Sequence, residues 1–209
     1  MSASPAPPQL LLATRNPDKQ RKLLWVVAGL PFAVHFPPSG AQPPETGQSH
    51  RDNAVQKALW WSERVAGLVL ASDGGVHIPA LGEGWRSVQT RRGSGARSDA
   101  ERTADLLARL EGREGAARTA VWREALALAE AGRLIGAWEA EGPPLRIAAR
   151  PGGTRPEGGF WLDRLLADPA SGRTLAELSP AELRRLDRAW RILRVCARRR
   201  LLHWQAEQG

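Results

Sequence analysis

The residues of this chain best suited to chemistry fall between Thr14 and Asp73. The run Thr14-Arg15-Asn16-Pro17-Asp18-Lys19 offers a hydroxyl, an amide and an ammonium where a strand turns into a helix. Backbone N–H groups at such a junction suit a polyphosphate, although Asn-Pro-Asp by itself is also an ordinary turn. Glu45-Thr46-Gly47 stands just ahead of a second helix, where a carboxylate favours the helix N-terminus. Asn53 and Lys57 lie one turn apart and share a helix face, which serves either a ligand or a solvated polar stripe. Asp73, followed by Gly74 and Gly75, reads as a carboxylate at a strand end. It can hold Mg²⁺ or orient a water there, and a plain turn aspartate is the competing reading.

The elements that must position these groups alternate between strand and helix. Gln9–Ala13 is a short apolar run suited to a buried strand, and a helix is predicted from Lys19 to about Ala28. Phe32–Phe36 suits a second strand, Pro37–Gly47 a loop, and Ser49–Ala66 a helix with Ala54, Ala58, Trp61 and Val65 near helical spacing. Leu68–Ala71 is another buried-type strand, ending at Ser72-Asp73-Gly74-Gly75. This order predicts an α/β fold, in which ligands sit beyond the carboxyl ends of strands. Further on, Ser98-Asp-Ala-Glu101 is a capping box opening a helix to about Leu110. Arg118–Ala129 and Arg133–Glu141 suit paired strands, and Gly152–Gly159 a glycine-rich loop. A second capping box, Ser179-Pro-Ala-Glu182, opens one arginine-rich amphipathic helix reaching about Trp204.

Composition narrows the function classes. The chain has 209 residues, 25% charged and 42% hydrophobic, which suits a globular protein with a substantial core. Residues 1–8 read as a flexible leader rather than a signal peptide, and 9–209 as one domain of two lobes. No apolar run is long enough to span a bilayer, and the lone Cys196 demands no oxidising compartment, so a cytoplasmic location is expected. The net charge of +8 invites a nucleic-acid reading. Only three lysines are present, Lys19, Lys22 and Lys57, and the remaining cations are arginines, as in a chain with a general arginine bias. Nucleic acid is therefore not the expected partner. Against that bias a lysine at 19 or 57 suggests a place for a compact ammonium rather than a guanidinium fork.

Taken in order, Ala13–Lys19, Glu45–Gly47, Asn53-Ala-Val-Gln-Lys57-Ala58 and Ala71-Ser-Asp-Gly-Gly-Val76 with Ala80-Leu-Gly82 resemble the inosine triphosphate pyrophosphatase family. Its patterns are T-x-N-x-x-K, E-T-G, E-N-A-x-x-K-A and A-D-D-S-G-L with A-L-G-G. The resemblance implies a mixed central sheet flanked by helices, with a cleft between two lobes, and a homodimer. It also implies Mg²⁺-dependent hydrolysis of a nonstandard purine nucleoside triphosphate to monophosphate and pyrophosphate. Carried over by motif, Thr14, Asn16, Lys19 and Lys57 would bind the triphosphate and Glu45 would be a metal ligand. Asp73 would be a metal ligand or the group that activates water, with Lys19 counted beside it as catalytic.

The second half matches less well. The pattern G-T-x-G-F-G-Y/W-D-P corresponds to Gly152-Gly-Thr154 and Gly158-Gly-Phe160-Trp-Leu-Asp163-Arg164, with Phe160 and Asp163 as the expected base contacts. Arg173-Thr-Leu-Ala-Glu-Leu178 matches K-T-x-A-E-L. The S-H-R that follows is not recognisable: read without gaps it falls on Asp187-Arg188-Ala189, and a one-residue shift keeps Arg188 as the contact. One carboxylate of A-D-D-S-G has become Ser72, and S-A-R has become Ser87-Val-Gln89. These departures imply altered base recognition. They leave a catalytically weak or inactive nucleotide-binding relative, and an arginine-rich nucleic-acid-associated protein, as alternatives. The helix from Ser179 either offers Arg184, Arg185 and Arg188 to a ligand or closes the core with its arginines in water.

Overall fold

The computed structural model describes residues 6–40, 43–85, 98–154 and 160–208. Most of the expected leader, the segment Ser87–Gln89 and the pair Gly158-Gly159 lie outside the described residues. The fold is mixed α/β. Strands β1 (Gln9–Ala13), β2 (Ala33–His35), β3 (Leu68–His77), β4 (Thr119–Glu130), β5 (Arg133–Ile147) and β6 (Leu166–Ala167) form one sheet in the order β2-β1-β3-β4-β5-β6. Both β2 and β3 run parallel to β1, whereas β6 is antiparallel to β5. The helices are α1 (Pro17–Val27), α2 (His50–Ser62), α3 (Asp99–Arg109), α4 (Pro180–Leu186) and α5 (Arg188–Gln208).

The chain divides into two compact units, the first made of residues 1–73, 124–140 and 190–209. Its core packs α2 against alternate residues of three strands. Ala54, Ala58 and Trp61 meet Leu11 and Ala13 of β1, Val69 and Ala71 of β3, and Ala125, Ala127 and Ala129 of β4. Alanine facing alanine lets helix and sheet approach closely, which sets the depth at which α2 delivers its polar side chains. On α5, Arg198 donates to the carbonyls of Val26 (3.1 Å) and Ala28 (2.7 Å), satisfying the C-terminal end of α1. Lys22 lies over the Trp190 ring at 5.2 Å, and Arg194 over Trp25 at 4.5 Å. These contacts give part of the arginine-rich helix a structural task.

The second unit comprises residues 74–123 and 141–189. Its core gathers Val76, Ile78, Leu106, Leu110, Ala120, Leu145, Ile147, Trp161, Leu162, Leu165 and Leu166. Trp161 and Leu162, the two departures from the glycine and aromatic of the family pattern, are thus core residues. Gly152 and Gly153 lie against the Thr174–Glu177 turn, where a Cβ on Gly152 would come within 2.7 Å of a Glu177 oxygen. Two motif segments far apart in sequence therefore meet in this unit.

Helix α2 stops at Ser62, short of the expected Ala66, and β5 runs past Glu141 to Ile147; two further elements depart more from expectation. Strand β3 does not end at Asp73 but continues through Gly74 and Gly75 to His77. Neither glycine has positive φ, so sheet pairing with β4 overrides their turn preference. The single helix expected from Ser179 to Trp204 is two helices broken at Asp187, whose ψ of 36° leaves the helical region. Trp190, Leu193 and Ala197 are buried, but α4 buries no residue fully, so the two pieces do not share one continuous apolar face.

Candidate active site

Helix α1 begins at Asn16, whose side chain accepts from the N–H groups of Asp18 (2.9 Å) and Lys19 (3.4 Å), with Pro17 at the first helical position. Thr14 Oγ1 accepts from Asn16 N–H at 3.2 Å. The expected turn from strand to helix thus forms, with a change of parts. Several of its backbone donors are already satisfied by its own side chains, which leaves hydroxyl, amide and ammonium groups to meet a ligand. Lys19, one turn into the helix, directs its ammonium to Asp73 Oδ1 at 3.9 Å.

Helix α2 supplies the other side. Ser49 caps it, with Asp52 closing a capping box. His50, Asn53 and Lys57 then form one stripe at spacings of three and four. All three converge on Asp73. His50 Nδ1 lies 2.8 Å from Oδ2, Asn53 Nδ2 lies 3.4 Å from Oδ2, and Lys57 Nζ lies 2.9 Å from Oδ1. Lys57 also meets Glu45 Oε1 at 2.8 Å, so one ammonium sits between two carboxylates. Asn53 ties in the Glu45 loop by accepting from Gly47 N–H at 2.8 Å. Gly47 must be glycine there, because a Cβ would stand 2.6 Å from Asp52 Cβ and 2.7 Å from Asn53 Oδ1.

His50 is 2% exposed, Lys57 8% and Asp73 9%, so this is a buried charge cluster. Burial opposes ionisation of Asp73, but the His50 ring and the Lys19 and Lys57 ammoniums outweigh it and hold the carboxyl well below the usual range. Burial alone would also push the Lys57 pKa down, yet Asp73 and Glu45 prevail and raise it. Among the described residues no group of three His, Cys, Asp or Glu side chains forms a ready cation cage. Glu45 and Asp73, the two carboxylates that flank the Lys57 ammonium, match the donor set of Mg²⁺, which keeps several waters and takes one or two carboxylates plus substrate phosphate oxygens.

The structure brings together five of the sequence-derived residues, namely Asn16, Lys19, Glu45, Lys57 and Asp73, with Thr14 bonded to Asn16. Phe160, Asp163 and Arg188 belong to the second unit. Phe160 packs against Trp122, with ring centroids 5.3 Å apart. Asp163 Oδ2 accepts from Phe160 N–H at 3.1 Å and so caps its own turn, and Arg188 opens α5 just past the break. Asp73 lies within a strand rather than at its end; it stands two residues past Ala71, where pairing with β1 stops.

Two residues of the first unit were not singled out from the sequence. His50 is the residue one turn before Asn53 on the same stripe, and that spacing was the available signal. Glu124 on β4 gave none. Its neighbours Ala125, Ala127 and Ala129 pack on α2, so Glu124 faces the other side of the sheet, where it is 6% exposed with Oε2 lacking a hydrogen-bond partner. Burial pushes its carboxyl up, against the charges of Lys19 and Lys22.

A pH-dependent stability follows. The folded pKa of Glu124 lies above the unfolded value of about 4.3. Below that value both states hold the proton and nothing is lost. As pH rises the unfolded chain releases its proton first, so stability falls until the folded pKa is passed, by at most about 1.4 kcal/mol per pH unit. Glu124→Gln is expected to unfold at a higher temperature than the wild type at pH 8, with the difference shrinking at pH 4. Thermal melts across that range check it.

The model of the Ham1 family matches residues 10–194. The dITP/XTP pyrophosphatase of Gloeobacter violaceus is 35% identical over 88% of this chain and 90% of its own length. The dITP/XTP pyrophosphatase of Geobacillus kaustophilus is 35% identical over 87% of this chain and 94% of its own. Among solved structures, a HAM1 protein from Coxiella burnetii superposes with a TM-score of 0.76 at 28% identity, covering 91% of this chain and 98% of that one.

Proposed function

The chain belongs to the Ham1 family, and on that premise we propose that it hydrolyses a nucleoside triphosphate to the monophosphate and pyrophosphate with Mg²⁺. The observation that carries the reading is the convergence of Lys19 and Lys57 on Asp73, with Glu45 on the far side of the Lys57 ammonium. Two ammoniums beside one ionised carboxylate suit a polyphosphate whose charge must be neutralised before water can attack the α-phosphorus. The bond formed joins water oxygen to the α-phosphorus; the bond broken releases pyrophosphate. Glu45 and Asp73 would hold Mg²⁺, which would supply further charge neutralisation. Thr14, Asn16 and Lys19 hold the phosphate chain from the start of α1. Asp73 serves as an ion ligand and water-orienting group rather than as a strong base, because a base works best with a pKa near the operating pH and this carboxyl is held far below it.

Base recognition is the altered part of the proposal. The site that would choose the base has Trp161 and Leu162 buried in a core and Arg188 at a helix break. Ser72, in the place of a family carboxylate, leaves its hydroxyl buried without a partner, and this favours the second reading of a weak or non-catalytic nucleotide-binding protein. A panel of ITP, dITP, XTP and the four standard ribonucleotides, with and without Mg²⁺, separates the two. Release of pyrophosphate and monophosphate in equal amounts is the expected result. Tight binding without turnover would leave the second reading standing.

A further inference from the structure

His50 lies outside every motif that pointed to the site, yet it makes the shortest contact with Asp73, 2.8 Å from Nδ1 to Oδ2. Both residues are buried, and His50 is the first residue of α2, fixed by the Ser49–Asp52 capping box. We propose that His50 is a positioning residue of the hydrolytic site: its Nδ1–H locks the plane of the Asp73 carboxylate so that Oδ1 is presented to Lys57, Lys19 and the substrate side. An ionised carboxylate only accepts hydrogen bonds, so the bond requires the proton on Nδ1. Asn53 at 3.4 Å from the same oxygen is a weaker second tether, and Lys57 at 2.9 Å holds the other oxygen. Without His50 the carboxylate keeps its charge partner on Oδ1 but loses its main restraint against rotation. Partners that orient ligating groups in this way are worth about 10–100-fold in metal affinity or activity.

The kinetic consequence rests on the pyrophosphatase reading; the tautomer does not. The test compares His50→Leu and His50→Asn with the wild type on the nucleoside triphosphate the panel identifies, together with urea unfolding. His50→Leu is expected to lower kcat by about 10–100-fold with KM changed less than about threefold. His50→Asn, whose amide nitrogen can take the place of Nδ1, is expected to stay within about threefold of wild-type kcat, even if its unfolding midpoint falls as far as that of the leucine variant. Unchanged kcat in His50→Leu would overturn the proposal, as would equal losses of kcat in both variants that track their loss of stability. Nitrogen-detected NMR of the ring in wild-type protein must show Nδ1 protonated at pH 7.5; an unprotonated Nδ1 would overturn it whatever the kinetics. If the wild type turns over no nucleotide while Nδ1 is protonated, the pyrophosphatase reading fails and the catalytic role falls with it, leaving only the hydrogen bond.

Discussion

Asp73→Asn is expected to lower kcat by about 10²–10⁴-fold, the range over which a positioned acid–base or water-orienting group contributes, while the protein stays folded. Asparagine keeps the shape and still accepts through one oxygen, so the loss reports the charge. Steady-state kinetics at saturating Mg²⁺ and substrate measure it; retention of more than about a tenth of wild-type kcat would place the chemistry elsewhere. The variant should also lose a pH-dependent part of its stability. In the wild type the folded pKa of Asp73 lies below the unfolded value of about 3.9. The stabilisation is therefore complete above that value and disappears as pH falls through the folded one. Asp73→Asn lacks it at neutral pH, and the two proteins should converge in strong acid.

Lys57→Met carries the largest expected effect on stability. The ammonium sits 2.8 Å from Glu45 and 2.9 Å from Asp73, and removing it leaves two carboxylates aimed at one point with no cation between them. Breaking a buried pair in this way costs about 3–5 kcal/mol. The lower end is expected here, because the Glu45 side chain is 31% exposed and water screens part of the repulsion. Urea denaturation at pH 7 measures the loss. The raised pKa of Lys57 means its contribution is fully present below the unfolded value of about 10.4 and is lost only as pH climbs past the folded one. Acid should instead narrow the gap between variant and wild type, since protonation relieves the two facing carboxylates. Saturating Mg²⁺ should also narrow the gap if the two carboxylates hold the ion as proposed.

Local signals were legible wherever the physics was local. The turn before α1 and the helix opening at Ser49 were legible, although α1 begins at Pro17, two residues before the expected Lys19, because Asn16 caps it. The capping boxes at Ser98 and Ser179 marked the starts of α3 and α4. Lys57 and Asp73, singled out separately, meet because residues 53 and 57 share a helix face that packs on the sheet. What the sequence hid depends on neighbours far away in the chain. Gly74-Gly75 signalled a turn, yet the adjoining strand holds them extended. Glu124 sits in an alternating strand with nothing to announce that its carboxyl is buried. The break at Asp187 interrupts a sequence whose helical period runs straight through it, because residues up to 189 and from 190 onward join different cores.

The hold of Arg198 on the carbonyls of Val26 and Ala28 bridges 172 and 170 residues of chain. The unit that carries Asp73 is likewise assembled from three separated stretches, 1–73, 124–140 and 190–209. On the ribosome, at about 5–20 residues per second, the Thr14–Lys19 turn is made within the first seconds and then waits. Arg198 can reach the carbonyls at the far end of its helix only after residue 198 has cleared the exit tunnel, so this brace forms late. A stalled fragment that stops short of residue 198 would carry the charged residues of the site without the brace on the end of α1.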